Sequence, residues 1–238
     1  NNLHICQWAD ANYKLTYAHA TEANNWPLRY SAKSGNLDIC QWLASHFGLT
    51  LADAIMWETC VLRLAARNGH LHVCQWLSEY FKLTPVDARD DNNSTLRDAA
   101  ENGHLKICQW LTEYFGLTTN DARSHRNYAL YSSACNGHLD VCQWLSTHFE
   151  LTENDARMWD NRILRWSAQR GHLAVCQWVS KRFNLTVKDA RACDNQALRN
   201  AAINGHLDVC QWLSEYFELN ADDARVCNNH ALRGAAGN

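Results

Sequence analysis

Apolar and polar positions recur along the whole chain with a fixed period of 34 residues. Glycines from Gly35 to Gly205 mark the period, no insertion or deletion interrupts it, and seven periods account for all 238 residues. Cysteine and tryptophan keep the same step, as Cys6, Cys40, Cys74, Cys108, Cys142, Cys176 and Cys210 and as Trp8, Trp42, Trp76, Trp110, Trp144, Trp178 and Trp212. Such a period is typical of a solenoid, in which each repeat packs only on its neighbours.

Five of the seven repeats begin with a Gly-His turn, and every repeat has a strongly amphipathic segment after its first two residues. The glycine supplies the left-handed conformation that commonly follows a helix C-terminus. In the last repeat the apolar residues Leu207, Val209, Cys210, Leu213 and Phe217 recur at helical spacing, with Trp212 beside them. The pattern predicts a helix over positions 3 to 14 of every repeat, counted from its glycine.

The second part of each repeat contains the segment Leu-Thr-x-x-Asp-Ala-Arg, as at residues 151–157. Thr followed three residues later by an acid resembles a capping box and predicts a short helical turn. A loose stretch that often ends in asparagine, such as Asn161, is then followed by a second helix, for example residues 197–204. The alternative is one helix of about 18 residues that joins the capped turn to the second helix. The sequence does not decide between them.

The sequence pattern of each repeat resembles the ankyrin repeat. The two leucines keep the family's mutual spacing in all seven repeats, together with Ala-Ala or Ser-Ala and with Val or Ile, and Gly-His-Leu occurs in five of them. Trp26-Pro27-Leu28-Arg29 keeps the proline of Thr-Pro-Leu-His. The repeat is longer than the family's usual length of about 33 residues, arginine or Tyr131 replaces the histidine, and Leu-Thr-x-x-Asp-Ala-Arg replaces the usual finger. The resemblance implies an all-α, ankyrin-like helical repeat solenoid with β-hairpin fingers reduced or absent. The tetratricopeptide family has a similar period, but its Trp-x-x-Leu-Gly-x-x-Tyr spacing is absent.

We therefore expect a single array over residues 1–238, made of the repeats 1–34, 35–68, 69–102, 103–136, 137–170, 171–204 and 205–238. Neither end has an evident polar capping repeat, which solenoids usually need. This favours an excerpt from a longer array, and the absence of an initiating Met points the same way. We predict a monomer, with head-to-tail stacking of molecules as the alternative.

Composition excludes some classes of protein. The net charge of −3 and pI of about 6.5 argue against a general nucleic-acid binder. No apolar run approaches the ~18 residues that span a membrane.

The periodic cysteines should lie about 10 Å apart, which is too far for disulfides. We therefore predict that these cysteines are buried and fill space in the apolar core. Cys60, Cys135, Cys193 and Cys227 are predicted to be free thiols, which favours an intracellular location, cytoplasmic or nuclear.

The repeated histidines and Asp/Arg pairs could suggest chemistry, but their repetition argues against it. Zinc sites need converging ligands, usually with short Cys-x-x-Cys pairs, which the chain lacks. Each histidine of the Gly-His motif is predicted to bond the backbone in its own turn. Pairs such as Asp155 and Arg157 are predicted to cap helices and form a charge ladder, because an active site is normally a single constellation. No enzyme activity, catalytic residue, metal site or cofactor is predicted.

A second ladder consists of Arg29, Arg63, Arg97, Arg165, Arg199 and Arg233. An arginine in each repeat could follow a phosphate backbone, as in modular readers of single-stranded nucleic acid. The excess of acidic residues makes nucleic acid the less favoured partner. This function remains an alternative to protein binding, as does a structural scaffold that stacks end to end.

The repeats differ most at positions 22, 23, 26, 30 and 33, where residue types range from Trp to Asp. In the ankyrin family the finger tip and the first helix line the target-contacting surface, so the resemblance implies a protein-binding surface here. Neutral drift after duplication is the alternative. Trp, Tyr, Met and Arg are also enriched at interface hot spots. We predict a non-catalytic protein-protein interaction module that binds through Trp26, Tyr30, Met56, Trp57, Leu64, Asp90, Asp91, Asp98, His125, Tyr128, Met158, Trp159, Arg162, Trp166, Gln196 and His230.

Overall fold

The computed structural model describes residues 2–55 and 61–237. The regular elements in these ranges are all helices, and no strand occurs in them. The chain divides into two compact halves, Asn1–Asp121 and Ala122–Asn238. Each half is an all-helical repeat solenoid that uses three elements in a fixed order: a Trp helix, a capped turn and an Ala helix.

The Trp helices start at the third residue of each repeat, which follows a Gly-His turn in the last five. They span Leu3–Tyr13, Leu37–Phe47, Leu71–Tyr80, Leu105–Phe115, Leu139–His148, Leu173–Arg182 and Leu207–Tyr216. They confirm the predicted amphipathic helices and end one or two residues before position 14. The residue at position 14 has a left-handed backbone, whether it is Gly48 or Lys82. Most of the indoles stack on a residue one turn further along the same helix, as Trp76 does on Tyr80 with ring centroids 5.0 Å apart.

The capped turns span Leu51–Ala54, Pro85–Ala88, Thr119–Ala122, Glu153–Ala156 and Val187–Ala190. They confirm the predicted capping box. At Thr152, the backbone N–H and the hydroxyl both donate to Oδ2 of Asp155, over 2.8 and 3.0 Å. The aspartate thus satisfies one of the backbone N–H groups that a helix N-terminus would otherwise leave without a partner.

The Ala helices belong to the helical segments Tyr17–Lys33, Val61–Arg67, Asp90–Glu101, Ser124–Cys135, Met158–Gln169, Ala192–Ile203 and Ala221–Gly237. Five of these segments contain a left-handed turn, defined by three consecutive residues with positive φ: 23–25, 91–93, 125–127, 159–161 and 193–195. The single long helix is therefore wrong for these repeats. The stretch predicted to be loose is an ordered turn, and the Ala helix starts after it.

The core lies between the Ala helices of successive repeats and the Trp helix that follows each of them. In the second half, Ala168 and Ala201 are completely buried, and so are Leu164 and Cys176. Alanine at these positions lets neighbouring Ala helices approach closely, while leucine and cysteine fill the space beneath them.

The buried cysteines should resist alkylation in the folded protein. Burial raises the pKa of Cys40 to about 11 and that of Cys142 to about 12, so their reactive thiolate forms are scarce at neutral pH. Cys193 and Cys227 are exposed free thiols. Peptide mapping after brief iodoacetamide treatment should find label on Cys193 and Cys227 alone among these four, and on all four in denaturant. Equal native labelling of Cys142 and Cys193 would contradict this packing.

Candidate functional site

The variable positions lie at the left-handed turns and along the Ala helices. Positions 22 and 23 belong to the turn region, and positions 26, 30 and 33 lie on the following helix. At the fifth repeat, Trp159 has φ of 58°. A left-handed backbone costs about 1–2 kcal/mol for a residue other than glycine. The turn therefore depends on bonds that hold it in place.

Asparagine and arginine side chains hold the turn that displays Trp159. Asn161 is buried, and its Nδ2 donates to Oδ1 of Asp189 in the next repeat over 3.0 Å. Arg165 donates from Nε to the carbonyl of Asp160 over 2.8 Å and from Nη2 to the carbonyl of Trp159. The repeated Asn and Arg thus support the backbone, and the variable side chain between them is free to differ.

The predicted Asp/Arg charge ladder is confirmed, and it links neighbouring repeats. Arg123 donates from Nε and Nη2 to the two carboxylate oxygens of Asp155, over 2.8 and 2.9 Å. The same pairing joins Arg89 to Asp121 in the first half, and Arg157 to Asp189 in the second. Each aspartate therefore caps its own turn and accepts an arginine from the preceding repeat.

Asp155 shows the electrostatic consequence of this arrangement. Burial alone would raise its pKa, but hydrogen bonds from Arg123, Thr152 and Asn127 favour the charged form and lower the pKa to about 2. The pKa of Asp223 is also lowered to about 2, chiefly by its bond from Arg191. Both carboxylates are therefore ionised at neutral pH and serve as fixed structural anions.

The arginines of the Ala helices bond to the backbone of the chain. Besides Arg165, Nη2 of Arg97 donates to the carbonyl of Asp91 over 2.9 Å, and Nη2 of Arg199 donates to that of Cys193 over 3.3 Å. Arg97 and Arg165 are also buried. These two arginines are poorly placed to follow a phosphate backbone, which reduces the support for the nucleic-acid alternative.

The histidines of the Gly-His motif bond to a backbone carbonyl 37 residues earlier in the chain, so the prediction that each bonds within its own turn is wrong. Nε2 of His206 lies 3.1 Å from the carbonyl oxygen of Gln169, and Nε2 of His70 lies 3.0 Å from that of Lys33. The imidazole packs over the glycine one repeat earlier, as His206 does over Gly171. The motif therefore joins repeats as well as forming a turn.

In the first half, Trp26, Tyr30 and Leu64 are brought together. Trp26 and Tyr30 are 54% and 53% exposed, and their rings stack with centroids 4.7 Å apart. With Leu64, Arg29 and Lys33 they line an open cavity of about 180 Å³. Met56 and Trp57, predicted to belong to this patch, lie outside the described residues.

The acidic residues of the third repeat divide into exposed and paired groups. Asp90 is exposed and, with Val86, lines a second open cavity of about 180 Å³. Asp91 is exposed but contacts Arg63 at 3.3 Å. Asp98 is buried and accepts a 2.7 Å bond from Nε of Arg63. Asp98 therefore contributes to the structure of this surface more than to its exposed area.

In the second half, aromatic rings and guanidinium groups form a cluster, hereafter the Arg–aromatic cluster: Arg126, Tyr131, Trp159, Arg162 and Trp166. The guanidinium carbon of Arg126 lies 4.2 Å from the ring centroid of Trp159. That of Arg162 lies 4.3 Å from Tyr131, 5.4 Å from Trp166 and 5.8 Å from Trp159. Such contacts between cations and ring faces are favourable and fix the direction of the arginines.

Other predicted residues surround this cluster. The exposed His125 contacts the half-buried Tyr128, with ring centroids 5.6 Å apart. The exposed Met158 accepts a contact from Nδ2 of Asn127 to its sulfur at 3.0 Å. Gln196 accepts a hydrogen bond from Nη1 of Arg165. The side chain of His230 lies outside the described part of the structure.

Comparison with known proteins decides the family. Residues 28–123 match the family described as ankyrin repeats (3 copies), and residues 164–213 match that described as ankyrin repeats (many copies). The chain belongs to the ankyrin repeat family. It is also similar to the X-ray structure of an ankyrin repeat family protein from Legionella pneumophila, at 21% identity and a TM-score of 0.47, over 96% of this chain and 73% of that one. The search of curated proteins gives no match. Ankyrin repeats are generally protein-protein interaction modules.

In this ankyrin chain the capped turn and the left-handed turn occupy the place of the β-hairpin finger. Two members of the Arg–aromatic cluster were missed by sequence reasoning, and both interrupt a repeated pattern. Tyr131 stands where the other repeats have arginine, and Arg126 is the single cation at a position where the other repeats have Asn, Asp or Glu. Such single exceptions at framework positions were the signal that could have identified them.

The described part of this ankyrin repeat protein shows neither a metal-binding cluster nor a membrane-spanning helix. Among the described residues, no group of three or more His, Cys, Asp and Glu is arranged to hold a metal ion. Within the same ranges, no helix is both long and apolar enough to cross a membrane.

Proposed function

We propose that this chain is a non-catalytic protein-binding module whose partner contacts the variable side chains at the left-handed turns and on the Ala helices. The observation that supports this most directly is that a backbone held in place by hydrogen bonds exposes large aromatic side chains to solvent. Trp26 and Trp159 are 54% and 48% exposed, although tryptophan is usually highly buried. Aromatic residues presented by a rigid backbone are typical anchors of protein interfaces.

Serine at Trp159 and Trp166 should abolish partner capture while leaving the fold intact. Both rings belong to the Arg–aromatic cluster, and substitutions at partly exposed sites cost little stability, whereas loss of hot-spot tryptophans weakens binding by about tenfold or more. The test is quantitative affinity capture from cells that express the protein, followed by mass spectrometry. Circular dichroism should show equal helix content and similar melting.

The matched control is Tyr114→Ser. Tyr114 is 46% exposed but lies on a Trp helix, away from the variable positions. Partners should therefore be retained by this variant and lost by the Trp159/Trp166 variant. Partner loss in both variants, or in neither, would count against the proposed surface.

A further inference from the structure

The arginines of residues 122–237 differ in what they bind. Most have an oxygen acceptor within the chain: Arg123, Arg157 and Arg191 bind aspartates, and Arg165, Arg170, Arg182 and Arg199 donate to carbonyl or amide oxygens. Arg126 and Arg162 instead lie over aromatic rings. In the described part of the chain, no carboxylate forms an ion pair with either of them.

Ring contacts leave hydrogen-bonding capacity unused. A guanidinium has five N–H donors directed outward in its plane, and stacking engages its face rather than these donors. Arg126 is exposed and Arg162 is half-buried. Arg162 also makes a side-chain hydrogen bond with Tyr131, which uses part of its donor set. The aromatic rings therefore hold two guanidinium groups in place with their remaining donors available to an incoming acceptor.

The surrounding carboxylates do not neutralise the cluster. Asp155 lines the same small cavity as Arg126 and Arg162, but it is bound by Arg123, Asn127 and Thr152. Asp160 is exposed on the adjoining turn. Residues 122–238 contain 13 Lys and Arg against 12 Asp and Glu, whereas residues 1–121 contain 9 against 13. The cluster thus lies in the half of the chain that is not acidic.

From this geometry we infer that Arg126 and Arg162 bind carboxylates of an acidic segment in a protein partner. Planar guanidinium groups match carboxylates with two parallel hydrogen bonds. Nucleic acid fits less well, because bases need free ring faces for stacking and Arg126 already covers a face of Trp159 at 4.2 Å. The inference rests on the proposed protein-binding function and names the chemistry of the partner.

The test uses the full chain and three fluorescein-labelled probes: octaglutamate, octaglutamine and octathymidylate. Fluorescence anisotropy should show binding of octaglutamate that weakens at least about tenfold in the Arg126→Gln/Arg162→Gln variant. Octaglutamine and octathymidylate should bind more weakly than octaglutamate. A charge-matched control, Arg225→Gln/Arg233→Gln, removes two exposed arginines of the last repeat and should bind octaglutamate within about twofold of the unaltered protein.

Charge reversal gives a second readout that does not depend on loss of binding alone. The Arg126→Glu/Arg162→Glu variant should prefer octalysine to octaglutamate. Equal binding of octaglutamate by the unaltered and Gln variants, or tighter binding of octathymidylate, would overturn the inference. A cellular partner that is lost with Trp159→Ser/Trp166→Ser but kept with Arg126→Gln/Arg162→Gln would overturn the inference and leave the proposed function standing.

Discussion

Replacing Asp155 by alanine is expected to lower the free energy of unfolding by about 3 kcal/mol. Its carboxylate accepts bonds from Thr152, Arg123 and Asn127, and so joins the cap of one repeat to the preceding one. Loss of a helix cap costs about 1 kcal/mol. Loss of one partner of a buried ion pair costs about 3–5 kcal/mol, but Arg123 is 40% exposed and can regain water, which reduces that cost.

Chemical denaturation of three variants separates the contributions. Arg123→Ala should cost less than Asp155→Ala, because Asp155 would keep its bonds from Thr152 and Asn127. Asp208→Ala is the control, since Asp208 is an exposed acid in the first turn of a Trp helix, and it should cost less than about 1 kcal/mol. Equal losses for Asp155→Ala and Asp208→Ala would show that the ladder contributes no more than a surface charge.

The pH dependence of the same variant gives an independent check. The pKa of Asp155 is about 2 in the folded chain, below the value of about 3.9 expected when unfolded. Its ionisation therefore stabilises the fold above about pH 4, and this contribution of about 2 kcal/mol disappears as the pH falls towards 2. The stability difference between the unaltered protein and Asp155→Ala should shrink over this range.

Periodicity was sufficient to predict the Trp helices and the capped turns. The Trp helices and capped turns follow local rules, namely helical spacing of apolar residues and the Thr-x-x-Asp signature. Both occur within a few residues of one another, so a single repeat contains the information. The position of Asp155 as a cap is an example, since Thr152 lies three residues away.

The left-handed turns and the Arg–aromatic cluster could not be predicted in this way, because contacts between repeats hold them. Nothing in the residue type of Trp159 favours a left-handed backbone. The turn is fixed by Arg165 and by the bond from Asn161 to Asp189, which lies 28 residues away. Arg162 and Tyr131 likewise belong to neighbouring repeats. Tyr131 replaces an arginine that recurs in the other repeats. This replacement could not be interpreted from the sequence, because the role of the recurring arginine becomes known only from the structure.

A large backbone effect is expected at Gly171, where alanine should cost about 3 kcal/mol. Gly171 has φ of +77°, and an added Cβ would lie 2.5 Å from Nδ1 of His206. The imidazole would have to leave its position beside the carbonyl of Gln169. Gly205 is a matched control, because it has nearly the same backbone, φ of +75°, with nothing within 4 Å of the added atom.

Comparing the two glycines isolates the contact between repeats from the backbone strain. Gly205→Ala should cost only the left-handed strain, about 1–2 kcal/mol, and the excess at Gly171 should come from His206. Combining Gly171→Ala with His206→Ala should therefore be less destabilising than the sum of the single changes, because the first has already displaced the imidazole. Urea denaturation of the four variants measures this coupling. Equal losses at the two glycines, with additive changes at His206, would mean that the ring moves aside freely and that the Gly-His motif forms a turn without joining repeats.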